Sequence, residues 1–138
     1  MPNAREAVEA LRAVADLRVV SARGEAARPP TERWLARHLG WTPPLYLRPS
    51  WRETSAQYKA RVLRELAPVA HVEDDPHTAA WAAEFVPLVV LVDWPRNRWL
   101  EGSNIRRASD PLEAAEIVRE ALSQTLGGRR TVPAWTSD

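Results

Sequence analysis

Two hydrophobic periods take turns along this chain: short unbroken apolar runs, and longer stretches with apolar positions three and four apart. The first period reads as strand and the second as amphipathic helix. Residues 3–16 predict a helix, with Asn3 and Glu6 in a capping-box pattern and Val8, Leu11 and Ala15 on one face. Leu17-Arg18-Val19-Val20 is a short strand running into Ser21-Ala22-Arg23-Gly24-Glu25, read as a loop. Pro29-Pro30-Thr31 opens a second helix, with Thr31 as its cap, Trp34, Leu35 and Leu39 inside it, and Gly40 as its stop. Leu45-Tyr46-Leu47-Arg48 is the next strand. A third helix follows, capped by Ser50/Glu53 or Thr54/Gln57, with Tyr58, Val62 and Leu66 as its stripe and Pro68 closing it.

The apolar approach from Leu66 to Val72 ends on three consecutive acids, Glu73, Asp74 and Asp75, then Pro76 and an alanine-rich helical run through Phe85. Pro87 to Asp93 is an unbroken apolar run of the kind found in parallel strands covered on both faces. A polar-aromatic loop, Trp94 to Trp99, comes next. Asp110-Pro111-Leu112-Glu113 starts the last helix, which Gly127-Gly128 should end. Strands near 17–21, 44–48, 69–73 and 88–93 alternate with helices, which predicts βαβ units, a three-layer α/β arrangement and a mainly parallel sheet. Residues 1–126 form the domain on this reading, and 127–138 a loose polar tail.

Composition narrows the function. A net charge of +1 argues against a nucleic-acid binder held by bulk electrostatics. With no cysteine there is no disulfide framework or thiolate site. His38, His71 and His77 lack close ligand spacing. No apolar run approaches the ~20 residues of a membrane span and the start is unlike a signal peptide, so the expectation is a cytoplasmic protein with no membrane contact. Among 19 basic residues the only lysine is Lys59, beside the apolar stripe of the third helix. Lysine is a compact point charge and arginine a broad planar fork, so the exception marks a candidate site, although a solvated helix lysine would look the same.

The acidic run is the other candidate. Carboxylates where a strand gives way to a helix sit at the carboxyl edge of a sheet, where open α/β folds keep their ligands. A hard cation such as Mg²⁺ takes one or two of them with phosphate and water. Asp75 before Pro76 is also a plain helix cap, which leaves Glu73 and Asp74 to be explained. Ser21 and Arg23 are of types that hold phosphate oxygens, and a serine there serves equally as a turn residue.

Together, Val19-Val20-Ser21-Ala22-Arg23, Lys59, and Val72-Glu73-Asp74-Asp75-Pro76 resemble the second, third and fourth motifs of the haloacid dehalogenase (HAD) superfamily, mostly Mg²⁺-dependent phosphohydrolases with a Rossmann-like fold. Thr31 to Leu35, Val92 to Arg98 and Ile105-Arg106-Arg107 are similar to its 5′-nucleotidase-like members. The likeness spans roughly residues 4–122. It implies that Ser21 hydrogen-bonds the transferred phosphoryl group and that Arg23 assists in phosphate binding. Lys59 would neutralise charge on the nucleophile and the phosphate. Asp74 would ligate Mg²⁺ with Glu73 beside it, and the substrate would be a phosphorylated small molecule such as a nucleotide.

The family's first motif, a strand ending in Asp-x-Asp whose first aspartate attacks phosphorus, has no counterpart: no Asp-x-Asp occurs in the chain. Asp93 ends a strand but lacks the second aspartate and lies on the wrong strand to replace it. The missing strand is central in the family's sheet, so the expectation is an incomplete sheet with a gap between the strands ending at Ser21 and Glu73. Three readings follow: a phosphatase core truncated at its start, one part of a split enzyme completed by a strand donated in trans, or a non-catalytic module that binds phosphate or a partner. In each the chain alone is expected to be inactive, and its open strand edges should favour self-association.

Overall fold

Every strand pairing among the described residues is parallel. The structure, a computed structural model, describes residues 3–124 and the backbone of 131–134. In chain order the elements are α1 (Ala4–Arg12), β1 (Asp16–Gly24), α2 (Arg28–Leu39), β2 (Leu45–Arg48), α3 (Ser55–Leu66) and β3 (Ala70–Glu73). They continue with α4 (Pro76–Ala82), β4 (Leu88–Val92), β5 (Ile105–Ala108), α5 (Pro111–Gln124) and β6 (Thr131–Ala134). Two three-stranded ladders form, in the orders β2-β1-β6 and β3-β4-β5, and β6 also lies against β3. The chain is therefore an α/β protein whose two ladders meet where β6 runs beside β3.

Strand alternation supplies the core on both faces. Val72 and Val90 join Val8, Leu11, Ala114 and Val118 in one cluster, under α1 and α5. Val89 and Leu91 join Leu63, Ala79 and Ala82 in another, under α3 and α4. Because β4 is apolar on both faces, its run is unbroken, as a parallel strand covered by helices requires. Val20 packs with Tyr58 and Val62, fixing α3 over β1. No helix of the described residues is long and apolar enough to cross a membrane.

The four expected strands are present, and two more were not read from the sequence. β5 carries Arg106 and Arg107, exposed edge positions that hide the strand pattern. β6 lies inside the segment expected to be a loose tail and occupies the gap expected between β1 and β3. Val132 and Ala134 supply its apolar character, and its register with β1 runs from Asp16↔Thr131 to Val19↔Ala134. The expected sheet with no central strand is corrected accordingly: a strand from the carboxyl end of the chain stands in that place.

Caps explain most element ends. Thr54 and Gln57 form the reciprocal capping box of α3, at 2.9 and 3.1 Å. Asp110 Oδ1 accepts from the Glu113 amide at 2.8 Å, starting α5; its expected end at Gly127-Gly128 is outside the described residues. Two expected caps differ. Asn3 is left-handed, with no side-chain cap bond. Thr31 lies inside α2, which begins at Arg28 because Pro29 and Pro30 fit a first turn. Gly40 ends α2 at φ 83° and Ala67 ends α3 at φ 47°. Left-handed backbone is costly for alanine and free for glycine. Gly40→Ala is thus expected to lower stability by about 1 kcal/mol or more, and Ala67→Gly to raise it by up to about 1 kcal/mol. Urea titrations of the two variants check the opposite signs.

Candidate functional site at the carboxyl edge of β1 and β3

The carboxyl end of β3 carries two polar side chains that the strand's alternation sends to one face. His71 and Glu73 are both fully buried. Glu73 Oε1 lies 2.9 Å from His71 Nε2. Its other oxygen accepts from the amides of Asp74 and Asp75, at 3.2 and 3.1 Å. Lys59 reaches in from α3, with Nζ 4.0 Å from the same oxygen, and is itself only 3% exposed. His71 Nδ1 is buried with no hydrogen-bond partner, so the tautomer that fits carries the proton on Nε2 and donates it to Glu73. Tyr58, the preceding residue on α3, packs instead with Val20 and Val62, and burial pushes its hydroxyl up to about 12.

The three acids have thus been given different tasks by their backbone positions. Glu73, last residue of β3, turns inward as counter-charge to Lys59. Asp75 caps α4, accepting from the amide and hydroxyl of Thr78 at 2.8 and 2.7 Å. Asp74 is half-buried between them. Glu73 and Asp75 both accept from backbone N–H groups of the turn, and Asp74 is the acid of the run that the resemblance makes the metal ligand. One carboxylate is not a Mg²⁺ site by itself. Among the described residues no group of three histidine or acidic side chains is close enough to hold a metal.

Ser21 is fully buried and lies within β1, because the strand continues past an irregularity to pair Gly24 with Arg48. The expected loop after Ser21 is thereby corrected. The Arg23 amide donates to Ser21 Oγ at 3.3 Å, and the Arg23 guanidinium donates to Thr31 Oγ1 at 3.4 Å, so these two residues and the start of α2 form one polar corner. β1 and β3 flank β6, and α3 packs on β1, so Ser21, Lys59, Glu73 and Asp74 all belong to elements converging on the same sheet edge.

Asn97 is a site residue that the sequence reading passed over. It sits fully buried in the turn after β4, and its amide donates to the carbonyls of Asp74 and Val92, both at 2.8 Å. Its own oxygen accepts from the Trp94 amide at 3.2 Å and from Arg107 at 2.7 Å. Asn97 therefore bolts the loop after β3 to the loop after β4 and fixes the backbone of Asp74. A proline two residues before an asparagine, in a loop between two strands, was the available signal. Arg98 and then Arg107 hold the Asp93 carboxyl below its ordinary range, which makes Asp93 an ion-pair partner of the loop.

The buried pair makes a sharp prediction. Glu73→Ala leaves Lys59 with less compensation and strips His71 and two amides of their acceptor, for an expected loss of about 3–5 kcal/mol. The double variant Lys59→Met/Glu73→Gln removes both charges and should recover most of that loss. A double variant as unstable as the separate Lys59→Met and Glu73→Gln losses added together would show that the charges are not coupled. No protein-family model, curated protein or solved structure matches the chain.

Proposed function

We propose that the chain is the phosphoryl-binding part of a haloacid dehalogenase-like phosphohydrolase, and that in its present form it binds a phosphorylated small molecule without hydrolysing it. The observation that carries this reading is the position of Lys59: the sole lysine is buried at the carboxyl end of β3 and oriented by Glu73. A point charge held there, with the Ser21 hydroxyl and the Arg23 guanidinium on neighbouring β1, supplies the donor types that phosphate oxygens take.

In this reading Glu73 positions Lys59 and does not bind metal, since both of its oxygens are engaged internally. Among the described residues no group of three histidine or acidic side chains is placed to hold the Mg²⁺ that the resemblance implies, so no catalytic step is assigned to it. Electrostatic stabilisation and positioning are large catalytic terms, but they need an attacking group to act on. The strand in the slot between β1 and β3 is β6, whose sequence Thr131-Val132-Pro133-Ala134 offers no carboxylate.

Calorimetry with inorganic phosphate tests the binding half of the proposal. Lys59→Arg, which keeps the charge but not the compact shape, and Ser21→Ala should each weaken binding, by about tenfold to a hundredfold for the charged contact. Circular dichroism of each variant confirms that the fold is retained. Unchanged affinity in both variants would remove the site. The second half is tested by p-nitrophenyl phosphate with added Mg²⁺: no turnover is expected. Robust turnover abolished by Asp74→Asn would overturn the assignment of a binding role alone.

A further inference from the structure

Among the described residues the large apolar side chains left exposed are five tryptophans and Leu112, so the open apolar surface is nearly all indole. Three of the five, Trp51, Trp94 and Trp99, stand in the loops that follow β2 and β4, at the edge that also carries Ser21 and Glu73. Trp51 and Trp99 are the most open, at 74% and 62%. Both rings are held. The Arg48 guanidinium lies 4.2 Å from the centre of the Trp51 ring and donates to the Glu53 carbonyl at 3.0 Å. Gly24 lets that ring come close to the end of β1, since a Cβ there would stand 3.1 Å from Trp51 Cζ2. Trp99 Nε1 donates to the Arg96 carbonyl at 2.9 Å, and the Arg96 guanidinium lies 5.2 Å from the centre of the Trp94 ring. Arg52 and Arg96 make no ion pair among the described residues, whereas Arg98 is paired with Asp93.

We propose that this edge binds single-stranded nucleic acid, with bases stacked on Trp51 and Trp99 and phosphates met by Arg52 and Arg96. An indole fixed with its face in water loses little freedom when a flat ligand stacks on it. Bases supply flat faces, and the phosphates between them supply charge for guanidinium groups. The strand order from β2 through β1, β6 and β3 to β4 separates the two stations by four strand spacings, roughly 20 Å at about 4.8 Å each. A short oligonucleotide spans that distance. The net charge of +1 argues against a hold by bulk electrostatics, so stacking carries the affinity and the salt dependence is shallow. Bases and phosphates are common to DNA and RNA, and both are accepted. A duplex hides its base faces and is disfavoured. The surface does not depend on the phosphoryl-binding reading.

Fluorescein-labelled decamers of deoxyuridine and of uridine, which share one base, are titrated with the chain and followed by anisotropy. Both should bind with similar affinity, and the deoxyuridine decamer paired with its deoxyadenosine complement should bind about tenfold more weakly or worse. Trp51→Ala and Trp99→Ala should each weaken binding about tenfold, the worth of one stacked base. Trp99→Tyr, which keeps a ring, should retain most of the affinity. Trp81→Ala, which removes an exposed indole of α4 instead, should retain all of it. The slope of log K against log salt should be no steeper than about −2, three phosphates at about −0.7 each. Failure of both single strands to bind would overturn the proposal. So would equal binding of the duplex, a steeper salt slope, or unchanged affinity in the Trp51→Ala and Trp99→Ala variants.

Discussion

The backbone of two buried strands is the constraint on which this molecule depends. β1 and β3 stand on either side of one slot, and each presents a row of N–H and C=O groups to it. Left unpaired in a dry interior, such groups cost about 1–3 kcal/mol each, against a total stability of only about 5–15 kcal/mol for a typical domain. The strand β6 occupies that slot, in a ladder with β1 and lying against β3. The helices follow from that closure: α1 and α5 pack together on one face, and α3 and α4 on the other.

The polar edge of this core depends on a second constraint, the burial of charge. Lys59 and Glu73 are both withdrawn from water, and a buried pair survives only if the remaining lone pairs and protons are also satisfied. Glu73 meets that condition through His71 and two amides of the strand-to-helix turn. The same turn is held from the other side by Asn97, which donates to the Asp74 carbonyl. The arrangement holds the Lys59 ammonium beside Glu73 at the edge of the sheet.

Periodicity made most of the fold legible. The strands around Val19, Leu45, Val72 and Val90 could be read because their apolar runs are interrupted by capping residues, and Thr54/Gln57 and Asp75 cap the helices they were expected to cap. β5 escaped because an edge strand with two exposed arginines has no buried pattern to show. β6 escaped because four residues containing a proline, at the end of a polar segment, read as tail; its strand character comes from the slot rather than from its own sequence. The candidate site was legible in part. The exceptional lysine pointed to α3, but residue type alone could not reveal that Glu73 is the fully buried acid of the run, within 4.0 Å of Lys59, and Asp74 the half-buried one. That distinction depends on where β3 ends. His71 was readable as the residue two before Glu73 on a covered strand, and Asn97 only from the loop geometry.

Amide hydrogen exchange tests the central claim most directly, comparing the full chain with one ended at Gln124. If β6 fills the slot, the amides of Asp16–Val19 and Ala70–Glu73 lose protection in the shortened chain, while those of β4 that face β5 lose much less, since exchange reports the local opening of each ladder. Equal protection of β1 and β3 in the two chains would mean that the core closes without β6, and would contradict the account.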